Sequence, residues 1–196
     1  MTGVVITGQP FNMGDLYLAG TTSITIPNGV ASVQIWAQAA GGAAFGRLSP
    51  VDGSAGGGGG FAYLTRAVLA GEWGTTLTVA IGSGSASNNG GNTTVSGTLN
   101  GSAVSVTCNG GTKGTSLADG TGGTASGGDT NITGGDGSGY VFTPPGEEAP
   151  GTPGRAGGFG FSGALMGSNL GAPGDGALAS QSSDPGFGGY IQVVWS

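Results

Sequence analysis

The sequence contains no histidine, a single cysteine and only four basic residues, and each shortage removes a class of chemistry. Without histidine, Ser-His-Asp and Cys-His nucleophilic arrangements cannot be built. With Cys108 alone, no intrachain disulfide forms. Arg47, Arg66, Lys113 and Arg155 face ten acids, giving a formal net charge of −6. That balance lacks the basic patch that nucleic-acid binding requires, so no nucleic-acid partner is expected. It also offers little to an anionic membrane surface. Charged residues are only 7% of the chain, which limits solubility and suggests work within an assembly. No apolar run is long enough to span a bilayer, so no membrane insertion is expected. The opening MTGVVITGQPF has no basic region or long apolar stretch. It does not read as a signal peptide, and synthesis in a cytosol is expected. Helix formers are scarce and glycine interrupts every window; a short turn near Ala67–Glu72 is the one weak helical candidate.

What is abundant is glycine, at 48 of 196 residues, with 9 prolines. Such a composition without a strict period usually signals disorder. Yet disordered chains are charge-rich and poor in apolar residues, whereas this one is 36% hydrophobic. Ordering glycine costs roughly 0.5–1 kcal/mol more than ordering alanine, so 48 of them cost on the order of 25–50 kcal/mol. A backbone hydrogen bond returns only about 0.5–1.5 kcal/mol net. Most glycines must therefore lie in hydrogen-bonded, closely packed backbone, or large apolar burial must lie elsewhere.

The first half reads as β. Val4–Ile6 is a short apolar run, and the alternating Ser23–Ile26 is closed by a Pro27-Asn28-Gly29 turn. Val33–Trp36, Ala62–Leu69, Thr76–Ile81 and Val104–Val106 follow, and Tyr190–Trp195 forms a last strand. From Gly82 to Gly189 the chain is glycine clusters with short inserts. Collagen needs glycine at every third position and abundant proline, and neither holds. A flexible linker is the bland alternative. A third option satisfies the backbone: polyproline-II-type helices make no internal hydrogen bonds, so their amides and carbonyls can bond across to neighbours. Close approach then demands glycine wherever two helices meet, because a Cβ would block it. The expected fold is mainly β with little or no α-helix: a small β-sandwich plus a bundle of polyglycine-II helices. The sandwich is expected from residues 18–107 and 190–196, and the glycine helices from 108–189.

The order TTSITIPNGVASVQIWAQAAGG (21–42), GGGGGFAYLTRAVLAGEWGTTLTVAIGSG (56–84), GGNTT (90–94), VTCNGG (106–111) and GGYIQVVWS (188–196) resembles the glycine-rich domain of tailed-phage tail fibres and related virion proteins. The likeness covers roughly residues 18–196. More loosely, the chain is similar to the distal tail-fibre adhesins of T-even-type phages, in which polyglycine-II helices carry loops that contact the host. There are departures. AQAAGGAAF has alanines where that family usually has glycines, VFTPPGEEAPGTPG is an insert particular to this chain, and residues 1–17 fall outside the pattern as an attachment segment. The resemblance implies a non-enzymatic virion protein, made in the host cytoplasm: a fibre tip, spike or surface decoration. Its implied partners are other virion proteins and a host surface glycan or outer-membrane protein. A purely structural capsid or tail role is the first alternative. An ice-binding protein is the second, although the irregular clusters here lack the regular Gly-x-x triplets of polyglycine-II antifreeze proteins. A glycan-cleaving enzyme is a third.

Catalytic, metal and cofactor signals are weak. Cys108 reads as a packed small hydrophobe before it reads as a reactive thiol. Glu147-Glu148 sits in a proline-rich loop, and sequence neighbours do not make an acid/base pair by spacing alone. Gly134–Gly139 is a poor match to calcium-binding nonapeptides because its aspartate is misplaced. Gly158–Gly163 matches GxGxxG without a strand before it or a helix after it. No catalytic residue, metal ligand or cofactor is expected. The remaining candidates are aromatic and Met side chains among the glycines: Phe45, Tyr140, Phe142, Phe159, Phe161, Met166 and Phe187. They suit receptor contact within loops Phe45–Gly53, Tyr140–Gly154 and Phe159–Leu170. The alternative is that they plug the bundle ends. Trp36, Trp73 and Trp195 are expected in the sheet core or at its edge.

Overall fold

In the computed structural model, the described residues are 15–17, 20–45, 54–138, 141–143, 147–149 and 185–196. They are mainly β, with a single 3-10 turn at Ala70–Glu72. The strands are β1 (Asp15–Tyr17), β2 (Ser23–Thr25), β3 (Ser32–Gln38), β4 (Phe61–Ala67), β5 (Thr76–Ala80), β6 (Thr93–Leu99), β7 (Ser102–Cys108), β8 (Ala125–Ser126), β9 (Thr130–Ile132), β10 (Val141–Thr143), β11 (Glu147–Ala149) and β12 (Tyr190–Trp195). Two five-stranded antiparallel sheets form, ordered β1-β12-β3-β4-β9 and β2-β5-β6-β7-β8. β10 and β11 pair separately, so Glu147-Glu148 is strand rather than loop.

Alternation builds the core. Val33, Ile35 and Ala37 of β3 face inward beside Leu64 of β4 and Ile191 and Val193 of β12. From the other sheet come Ile24, Leu77, Val79, Val95, Leu99, Val104, Val106 and Cys108. Burying one such side chain contributes roughly 1.5–3 kcal/mol. The outward positions of β3 and β4 differ: Trp36 and Tyr63 sit opposite one another with ring centroids 5.1 Å apart. Trp195 is half-buried against the core. Trp73 belongs to no sheet; it follows the 3-10 turn, 38% exposed, and its indole N–H donates to the Val30 carbonyl at 2.9 Å.

Strands continue past one end of the sandwich as extended, non-strand threads. Residues 39–44 follow β3 and 54–60 precede β4; 81–85 follow β5 and 88–92 precede β6. Likewise 109–114, 119–124, 133–137 and 185–189 adjoin β7, β8, β9 and β12. Among the described residues, threads and strands thus alternate from residue 39 onward. The short strands β8 and β9 lie within 108–189, the region expected to hold the glycine helices. Composition was a poor guide because a thread needs only a handful of residues between strands.

The threads bond to one another with a step of three residues. Between 39–44 and 54–60, the N–H groups of Ala39, Gly42 and Phe45 donate to the carbonyls of Gly60, Gly57 and Ser54, at 2.9–3.0 Å. Gly60 and Gly57 donate to Asn109 and Thr112; Asn109 and Thr112 donate to Thr124 and Thr121. Gly134 and Gly137 donate to Gly123 and Gly120, and Gly189 and Gly186 to Gly82 and Ser85. Parallel neighbours keep the same step: Gly111 and Gly114 donate to Ala40 and Ala43, and Gly123 and Gly120 to Gly58 and Ala55. Within 39–44, successive amides point to three different threads and then repeat: Ala39 to 54–60, Ala40 to 88–92, Gly41 to 185–189, Gly42 to 54–60, Ala43 to 88–92.

Close approach explains the glycine. A Cβ on Gly42 would overlap the Thr112 carbonyl, and one on Gly57 the Thr121 carbonyl. Backbone atoms cannot swing aside as a flexible side chain can. The alanines Ala39, Ala40, Ala43, Ala44 and Ala55 are nevertheless all at most 4% exposed, so their methyls fill space in the lattice. Gln38 and Thr93 weld lattice to sandwich. Gln38 Nε2 lies 2.9 Å from the Gly59 carbonyl and 3.1 Å from that of Gly60. Thr93 Oγ1 donates to the Gln38 carbonyl at 2.9 Å and accepts from Gly82 N–H at 3.0 Å.

Candidate functional site

Described thread ends meet at one end of the molecule: Phe45 pairs with Ser54, Ala43 N–H donates to the Asn88 carbonyl and Gly114 N–H to the Ala43 carbonyl, beside tips at 85–88 and 115–118. These two tips are built alike. Ser85 Oγ accepts from Ser87 N–H at 3.3 Å and Asn88 N–H at 3.0 Å. Thr115 Oγ1 accepts from Leu117 N–H at 3.4 Å and Ala118 N–H at 3.1 Å. A hydroxyl that opens a turn by capping the amides two and three residues on is a compact way to reverse a chain. Its side-chain signal is visible in Gly84-Ser85 and Gly114-Thr115, although sequence reasoning passed over it.

Between the tips lies a cleft of about 370 Å³ lined by Ala44, Phe45, Ser87, Lys113, Gly114, Thr115 and Ser116. That is the small end of the roughly 300–1,000 Å³ typical of small-ligand sites. Phe45 is half-buried, its backbone paired with Ser54. The Lys113 amide is pinned to Asn89 Oδ1 at 2.9 Å, which fixes where its exposed side chain starts. Neighbouring acids are spent on the lattice: Asp119 Oδ1 accepts from Ala55 N–H at 3.1 Å, and Asp136 Oδ1 from Gly122 N–H at 2.8 Å. Among the described residues, the other basic side chain, Arg66, is bonded to Asp129 at 2.7 Å near the opposite end, and Lys113 has no acidic partner. Leu117, beside the cleft, is 95% exposed. The site therefore offers one aromatic face, hydroxyls, an ammonium and an exposed apolar side chain.

Of the expected contact residues, Phe45 lies in the cleft. Phe187 does not: it sits half-buried within thread 185–189, its carbonyl accepting from Gly41 N–H. Phe142 falls in β10, and nothing further is described of it. Tyr140, Phe159, Phe161 and Met166, like the GxGxxG match, lie outside the described residues. Lys113, Ser87, Thr115, Ser116 and Leu117 were not anticipated, because nothing in their spacing signals that three separate tips converge.

Elsewhere the titratable groups serve structure. Cys108 is fully buried, its Sγ 3.4 Å from the Ala37 carbonyl, and burial pushes the thiol up to about 12. Glu72, at the base of the sandwich, accepts from Gly101 N–H at 2.8 Å, Leu69 N–H at 2.9 Å and Asn100 N–H at 3.1 Å. These backbone donors, Gly101 foremost, hold its carboxyl below the usual range. Asp129 is lowered by the Thr65 N–H and then by Arg66. Among the described residues no cluster of three potential metal ligands occurs, and no helix is long and apolar enough to cross a membrane.

No protein-family model matches the chain, and no curated protein matches it.

Proposed function

We propose that this chain is a non-enzymatic virion component of a bacteriophage, a fibre tip, spike or surface decoration, that contacts the host surface through the tips of its glycine threads. The observation that carries the reading is the gathering of separate tips at one end of a backbone-bonded lattice. Hydrogen bonds between neighbours at every third residue, turning through three directions, are what left-handed polyglycine-II helices with three residues per turn make. Such a scaffold leaves its tip sequences free to vary, because most of the bonds that hold the lattice run from main chain to main chain. The cleft favours a surface glycan with an acidic group: Phe45 supplies a face for a sugar ring, the hydroxyls bond its polar edge, and Lys113 meets the charge. Other virion proteins would hold the opposite end.

The test is binding of the purified chain to host cells. Lys113→Ala and Leu117→Ser are expected to weaken binding at least several-fold with unchanged thermal stability, since both side chains are exposed. The second reading is a purely structural capsid or tail component. It is favoured by Leu69 and Trp73, two large apolar side chains exposed at the base, at 48% and 38%. Absence of cell binding, together with tight association with another virion protein through that base, would select it.

A further inference from the structure

We infer that Asn28 is a site of spontaneous deamidation, selected by the fold from four equivalent sequence matches. Asparagine followed by glycine occurs at Asn28-Gly29, Asn89-Gly90, Asn100-Gly101 and Asn109-Gly110. The chemistry is intramolecular. The glycine amide nitrogen, deprotonated, attacks the asparagine Cγ; the Cγ–Nδ2 bond breaks and ammonia leaves. The resulting succinimide is opened by water at either carbonyl, giving aspartate or isoaspartate. Glycine is the most permissive follower because no Cβ shields its nitrogen. The step therefore needs a free amide N–H and a side chain able to turn toward it.

Three of the four sites lack both freedoms or one. Gly90 N–H donates to the Gly111 carbonyl at 2.9 Å, inside the lattice. Gly110 N–H donates to Asn92 Oδ1 at 2.9 Å. Gly101 N–H is held by the Glu72 carboxylate at 2.8 Å. The electrophile is held as well at two of them: Asn89 Oδ1 accepts from Lys113 N–H, and Asn109 Nδ2 donates to Thr124 Oγ1, both at 2.9 Å. At Asn28-Gly29 both residues are exposed, and among the described residues neither the Asn28 side chain nor the Gly29 N–H has a hydrogen-bond partner. Gly29 has a φ of +82° and open space where a side chain would stand. Water and an unbonded amide are thus available there without any opening of the fold.

Conversion adds a carboxylate to a chain whose formal net charge is already −6. It does so in the turn between β2 and β3, close to the Val30 carbonyl that anchors Trp73. In the isoaspartate product the turn also gains a backbone methylene. The base of the sandwich would therefore change charge and shape with age, while the tips stay constant.

The full chain, held folded at mildly alkaline pH, should be sampled over time, digested and sequenced by mass spectrometry with isoaspartate resolved. Asn28 is expected to lead the other three sites by roughly tenfold or more, since attack at a locked amide must await local opening. In denaturant the four rates should converge. An Asn28→Gln variant should lose the early acidic species seen on native ion exchange. An Asn28 that stays intact in the folded chain, any other pair converting as fast, or an acidic species that persists in the variant would overturn the assignment.

Discussion

Gly42 and Gly71 are the same residue in opposite surroundings. At Gly42 an added methyl would run into the Thr112 carbonyl, whereas at Gly71 it would meet nothing within 4 Å. Gly42→Ala should therefore cost about 1–3 kcal/mol or more by overpacking. Gly71→Ala should be neutral or gain roughly 0.4–1 kcal/mol through the unfolded chain. Denaturant melts of the two variants check this; equal effects would mean that the lattice yields. Composition alone carried the need for glycine in close-packed backbone, but not which glycines meet a carbonyl. Gln38 illustrates the limit. A glutamine at the end of an alternating strand reads as surface, yet it is 1% exposed because the thread carbonyls of Gly59 and Gly60 need a donor. Cys108 was legible as a packed thiol. Since only the thiolate reacts, the raised pKa and full burial predict no labelling by thiol reagents in the native state. Labelling should appear with global unfolding in a urea series, and rapid native labelling would contradict the packing described.

At the scale of elements, β3, β5 and β12 were readable because their apolar residues alternate. β6 was not: Thr94, Ser96 and Thr98 stand between its inward Thr93, Val95 and Leu99, and Gly97 interrupts the pattern. Its strand character comes from pairing with β5 and β7. The 3-10 turn at Ala70–Glu72 falls within the weak helical candidate near Ala67–Glu72, whose first residue belongs to β4, and what fastens the turn was not legible. Glu72 joins that turn to the β6–β7 hairpin through three backbone donors. Its folded pKa is depressed, so its contribution is fully present above the ordinary glutamate value of 4.5. It is lost as pH falls through the lower folded value. Wild type should lose stability across that acidic window, and Glu72→Gln should flatten this part of the profile. Thermal melts against pH measure it; an unchanged slope in the variant would assign the acid sensitivity to other carboxylates.

For the whole molecule, the mainly β architecture was legible, while the sheet order was not. Placing the C-terminal β12 between β1 and β3 depends on contacts across the length of the chain. The convergence of Ala44–Phe45, Ser87 and Lys113–Ser116 on one cleft depends on the same topology, which is why a single lysine gave no signal in sequence. Thread and strand are one continuous backbone here, and so they should open together. Amide hydrogen exchange measures that directly. Residues 39–44, 54–60, 109–114 and 119–124 are predicted to exchange as slowly as β3, β4 and β7, with the exposed tips at 86–88 and 115–118 exchanging early. Thread amides that exchanged as fast as the tips, beside protected strands, would contradict a lattice held by its main chain.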